Sequence, residues 1–239
     1  MCSKMSDVLS IRGRIELLKY QYTRTDDMMH KTILNNVLAI YIELYSEYGV
    51  DVVYKIPSDK IFLSNFENRV YSHFSEDGIT EKIFETIGFT NKNYLTIDGG
   101  PDKTNNSEIL EKNHEFTGSH ITQDDQPSAE NIVSLCEKRE VPKEFDFLSI
   151  NVDPNDWYMF RAVCSDYKPR VVVVRYNANY PPPDDKVVVY DAAAAPTGTT
   201  YHGASIEAMF KLGRQLGYNL VAAESVGYNL FFVREDIAP

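Results

Sequence analysis

Cysteine is scarce in this chain, and basic residues are outnumbered. Three cysteines, Cys2, Cys136 and Cys164, lie far apart in 239 residues with no C-x-x-C pair. That spacing excludes a disulfide framework and a cysteine zinc site, and it points to a reducing compartment. Lys and Arg number 24 against 35 Asp and Glu, a formal net charge of −11. Broad nucleic-acid binding needs clustered cations and is excluded, although a local basic patch stays open. No apolar run nears the roughly 20 residues of a membrane span. The first residues, MCSKMSDVLSIRGR, carry charges where a signal peptide has its apolar core. The expectation is a cytoplasmic protein, of a cell or of something that replicates in one. There is no internal repeat.

What is present is an ordinary globular composition, 43% hydrophobic and 25% charged, enough for one domain or one domain plus an appendage. Residues 1–73 differ from the rest and read as a helical N-terminal arm. Val8, Ile11, Ile15, Leu18 and Tyr22 recur at helical spacing, and so do Met29, Ile33, Val37, Ile40 and Leu44. Asp26 and Asp27 suit the start of the second helix and Gly49 its end. DVVYKI is a short β candidate, and PSDKIFLSNFENRVYSHF predicts a further helix capped by Ser58. The arm carries no phosphate loop and no metal-ligand spacing.

From residue 74 to 239 helices and strands alternate, which predicts a mostly parallel sheet covered by helices. Helices are expected at 76–88, 107–113, 128–139, 155–166 and 203–216. Strands are expected at 93–98, 116–121, 145–151, 170–176, 218–223 and 228–234. Four consecutive valines in RVVVVRY suit a strand buried on both faces. The short ESVG joint between the last two strands predicts an antiparallel hairpin. The loop 178–200, rich in Pro and Ala, follows the C-terminal end of a central strand, where ligands bind in open α/β sheets.

FSEDGITEKIFETIG, NYLTIDGGPD, FDFLSINVDPNDWYMFRAV, KPRVVVVRYNANYPP and GASIEAMFKLGRQLGYNLVAAESVGYNLFFVRED occur in this order. Over about residues 71–236 the chain thereby resembles FkbM-like S-adenosylmethionine-dependent methyltransferases. The resemblance implies a Rossmann-like methyltransferase fold with a C-terminal antiparallel hairpin. It implies a cofactor turn at Asp98, Gly99, Gly100 and Asp102, and catalytic positions at Asp153, Asp156 and Asn177. The departures cluster at that site. Lys103 stands where the turn normally has a glycine. Thr122 and Gln123 stand where an acid holds the cofactor ribose. The stretch between strands 116–121 and 145–151 has room for one helix and no third strand, so one edge strand is expected to be missing. Asn151 replaces an aspartate of the family pattern, and Arg175 replaces a glutamate.

The turn SINVDPND keeps two readings open. Asp153, Pro154 and Asp156 suit an N-cap, a first helical residue and a capping-box acid. Asp153 and Asp156 equally suit substrate or metal contact. His202 either faces the site or merely precedes a helix, and His114 and His120 lack nearby paired ligands. Two functions also stay open. One is a non-catalytic methyltransferase-like protein, a structural or interaction component of a virus particle or another assembly. It would meet a protein partner through the arm or the sheet edge and would need no cofactor. The other is an active S-adenosylmethionine-dependent O-methyltransferase acting on a sugar or similar hydroxyl.

Overall fold

A computed structural model describes residues 63–98, 106–194 and 198–238. The helical patterns at 8–22 and 26–48 and the β candidate at 51–56 lie outside the described residues, and so do Gly99, Gly100, Asp102 and Lys103. The described elements, in chain order, are α1 (Glu76–Ile87), β1 (Asn93–Asp98), α2 (Glu108–His114), β2 (Thr117–Thr122), α3 (Ile132–Lys138) and β3 (Glu144–Asn151). They continue with α4 (Asp156–Asp166), β4 (Lys168–Arg175), α5 (Ile206–Leu216), β5 (Tyr218–Ala223) and β6 (Asn229–Arg234).

The six strands form one sheet in the order β2-β1-β3-β4-β6-β5. The first four run parallel, with Asp98 at the end of β1 in register with both Thr122 and Asn151. β6 runs antiparallel to β4 and β5, as the short joint predicts. Between β2 and β3 the chain forms a single 3-10 turn, Gln123–Asp125, and then α3, with no strand.

The sheet is covered on both faces, so its central strands are buried almost throughout. Val171, Val172, Val173 and Val174 are all fully buried. Alternate β4 residues divide between two cores. Val172 and Val174 pack with Leu148, Ile150, Phe160, Met209 and Phe232, whereas Val171 and Val173 pack with Phe84, Phe147 and Phe231. α5 closes with Gly217 in the left-handed region at φ 85°, a conformation that costs glycine little. Buried Asp146 ties the loop before β1 to the sheet. It accepts from the Thr90 and Lys92 amides and the Thr90 hydroxyl, and pairs with Arg170 at 3.0 Å. Burial pushes the Asp146 carboxyl up, but these hydrogen bonds outweigh it and hold its pKa below the usual range.

Three helix expectations change. The helix expected over 128–139 begins only at Ile132, because Asn131 Oδ1 accepts the Ser128 amide and closes a turn first. The helix expected over 203–216 begins at Ile206, where the Ser205 hydroxyl accepts from the Ala208 amide as a true N-cap. The helix expected across 57–74 appears within the described residues only as one 3-10 turn, Leu63–Phe66. The reason is a competing acceptor. The amides of Val70, Tyr71 and Ser72 all donate to Asp77 Oδ2, at 2.6–2.8 Å, instead of to helical carbonyls. Residues 67–75 therefore wrap the start of α1. A Cβ on Gly78 would collide with the Phe66 carbonyl oxygen, so only glycine allows this approach.

Candidate functional site

The C-terminal ends of β3 and β4 carry the polar turn of SINVDPND and the residues that follow RVVVVRY. α4 begins at Asp156, with Asn155 at the N-cap position and no side-chain cap bond. Asp153 is therefore not the helix cap. Its carboxylate turns to β4, where Oδ2 meets Arg175 Nη1 at 3.0 Å. Asp153 and Arg175 side chains are 12% and 17% exposed, which makes this a largely desolvated pair. The Arg175 guanidinium also lies over the Tyr228 ring, 4.6 Å from its centroid. His202 comes from the loop before α5, with Nδ1 3.9 Å from Asp153 Oδ1.

Asp156 has a different task. It is almost fully buried, and its Oδ1 accepts from the Val152 amide at 2.8 Å, closing the turn that links β3 to α4. Burial pushes its pKa up to about 7. Arg175 and the Val152 amide oppose that rise, and Asp153 adds to it. Burial likewise holds the His202 imidazole below its ordinary pKa, against Asp153 and with Arg175, which favours the neutral ring.

Asn177, in the loop after β4, is fully buried and has its hydrogen-bonding groups committed. Its amide nitrogen donates to the carbonyls of Thr200 and His202, and its Oδ1 accepts from the amide and side chain of Asn179. It pins the two ends of the long loop together. Asp153 and Asp156 thus share the electrostatic neighbourhood of Arg175, whereas Asn177 serves the loop that delivers His202.

Beside this cluster opens a cleft of about 540 Å³. It lies between the turn after β2, the turn after β3 and the loop after β4. Gln123, Gln126, Pro127, Ser128, Val152, Asp153, Asn155 and Ala192–Ala194 line it. Its size falls in the usual range for ligand sites, and it opens at the carboxyl ends of parallel strands.

At the end of β2, where the resemblance implies an acid for a cofactor ribose, the residues are Thr122 and Gln123. Two acids follow, Asp124, which is exposed, and Asp125, which is already engaged. It makes two 2.8 Å hydrogen bonds to Arg139 and accepts from the Thr122 amide. The Arg139 hydrogen bonds come first among the causes that hold the Asp125 carboxyl below its usual pKa. Among the described residues no group of three or more His, Cys, Asp or Glu could hold a metal ion. His114 meets Glu81 and the Phe89 ring, and His120 meets the Tyr94 hydroxyl and Glu111. Trp157 and Tyr158 hydrogen-bond to the Ala208 and Val188 carbonyls, and Phe160 lies in the core. Among the described residues no helix is long and apolar enough to cross a membrane.

Comparison with models of protein families, with curated proteins and with solved structures gives no match to this chain. The site must therefore be read from its own chemistry. Sequence reasoning marked Asp153 and Arg175 separately and missed their pairing. The available signal was their complementarity, since a cation appears where the family resemblance expects an acid while Asp153 is kept. It also missed Asn155, whose Oδ1 is buried without a partner.

Proposed function

We propose that this chain is a Rossmann-like, methyltransferase-fold protein that does not transfer methyl groups and works by binding within an assembly. One observation carries the reading, the ion pair between Asp153 and Arg175. A carboxylate that acts as general base must take up a proton during the reaction. Arg175 occupies Oδ2 of Asp153 at 3.0 Å and stands where the resemblance expects a glutamate, so one carboxylate of that pattern is gone and the other is paired. Asp156 has a raised pKa but spends Oδ1 on the Val152 amide and is 1% exposed. The strand order, the terminal antiparallel hairpin and the strandless stretch between β2 and β3 support a methyltransferase fold shortened at one edge. The same missing strand removes the segment that would frame an adenine.

Thermal unfolding with S-adenosylmethionine tests this reading. A ligand at 100 times its Kd adds about 2.7 kcal/mol to the folded state. With the cofactor at about 1 mM, a binder of micromolar affinity would therefore raise the melting temperature by several degrees. No shift is expected. A shift of that size would restore methyl transfer to a hydroxyl as the function.

A further inference from the structure

The cleft has an unbalanced lining. Asp153 and Asn155 stand two residues apart on its β3 side, and each has a side-chain oxygen with no hydrogen-bond partner. The Asn155 orientation is fixed, because Nδ2 donates to the Asp191 carbonyl at 2.9 Å, which leaves Oδ1 as the unmet acceptor. Asn155 is only 8% exposed, so an unmet acceptor there is costly unless something donates to it. Asp153 uses Oδ2 for Arg175, and its Oδ1 has no hydrogen bond, with His202 Nδ1 3.9 Å away.

The charges around the cleft have one predominant sign. Among the described residues no Lys or Arg lines it. Exposed Asp124, Glu130 and Asp191 occur in the lining segments or beside them. Among the described residues Arg139 is paired with Asp125 and Arg175 with Asp153. A phosphate or carboxylate ligand would meet acceptors and negative potential, and such a lining attracts a cation instead.

We infer that this cleft binds a guanidinium group, carried either by a small molecule or by an arginine of a partner protein. A guanidinium is planar, permanently charged and presents paired N–H donors, which match two acceptors on one wall. Gln123 and Gln126 line the same space, and Ala192–Ala194 offer an apolar wall to an alkyl stem. The inference rests on the binding role proposed above and specifies what is bound.

Calorimetric titration of the full chain with Nα-acetyl-L-arginine amide tests it, with Nα-acetyl-L-citrulline amide as the neutral match in shape. Saturable binding of the arginine compound is expected, with citrulline weaker by about tenfold or more, a difference of about 1.4 kcal/mol. Gln123→Lys adds a cation at an exposed wall position. It should weaken arginine binding about tenfold while leaving the melting temperature unchanged. The capped pentapeptide Gly-Gly-Arg-Gly-Gly distinguishes the sources. Tighter binding than the single residue indicates a partner's arginine, and equal or weaker binding indicates a small guanidine. Absence of saturable arginine binding, equal binding of citrulline, or no effect of Gln123→Lys overturns the inference. An arginine failure combined with no cofactor binding removes the ligand class and leaves the non-catalytic reading standing. Cofactor binding removes that reading whatever the arginine compound does.

Discussion

Arg175 at the end of β4 and Asp153 in the turn after β3 meet at 3.0 Å, across the carboxyl edge of two neighbouring parallel strands. Each is the other's main charge partner. Removing either should therefore cost more than its own contacts. Arg175→Met is expected to destabilise the fold by about 3 kcal/mol, the lower end for stranding one member of a buried pair. Asp153→Asn should cost a similar amount. The double variant should recover part of the loss, because no charge is then left alone. Urea unfolding of the four proteins gives the coupling energy directly. Additive losses would show that the pair does not hold the turn.

Asp153→Ala and Asp153→Ser separate the ion pair from a helix cap. A cap would be restored by serine, whose hydroxyl can accept from an amide. The structure places the N-cap at Asn155, so serine is expected to lose as much stability as alanine. Neither protein should respond to added divalent cation. Recovery by serine in a thermal melt would return Asp153 to the capping role.

Two buried carboxyls make stability depend on pH. Asp156 is raised to about 7 and Glu224 to about 8, both chiefly by burial. Glu224 accepts from the Tyr228 and Asn229 amides in the turn joining β5 and β6, with Glu76 and Glu67 adding to its rise. For both groups the folded state holds its proton more tightly than the unfolded chain. Their contribution is complete below the unfolded pKa, about 4. It is lost as pH rises to about 7 for Asp156 and about 8 for Glu224. The melting temperature should therefore fall from pH 5 to pH 8. Asp156→Asn should flatten the lower part of that slope and Glu224→Gln the upper part, by an amount on the order of a few kcal/mol. A flat wild-type profile, or a slope unchanged in both variants, would contradict the burial of these groups.

Gly78 marks the closest approach of residues 66–75 to α1. Gly78→Ala should displace this segment, because the new methyl group would collide with a backbone oxygen and not with a flexible side chain. A loss of about 1–3 kcal/mol is expected. Faster amide exchange at Val70, Tyr71 and Ser72, the three donors to Asp77, should accompany it. Unchanged exchange there would separate Gly78 from the docking of the segment.

Strand identity was legible in β4 because its four valines make it apolar on both faces, a pattern independent of its neighbours. Every expected strand after residue 74 has a counterpart within two residues. Helix starts were less legible. The sequence pattern at 128–131 and 203–205 continues into a helix, but Asn131 and Ser205 take local amides first. The stretch 63–74 misled most, since its amides are claimed by Asp77, a residue outside the segment itself. At the site, residue types were visible but their pairings were not. Asp153 and Arg175 are separated by 22 positions, and only the parallel pairing of β3 with β4 brings them together.

The central claim is that the site no longer serves a methyl donor. Isothermal titration calorimetry of the full chain with S-adenosylmethionine measures this most directly. The account expects no saturable heat up to about 1 mM cofactor, which places any binding at about −4 kcal/mol or weaker. Saturable binding with a micromolar Kd would contradict it and make Asp153 and Asp156 candidates for catalysis once more.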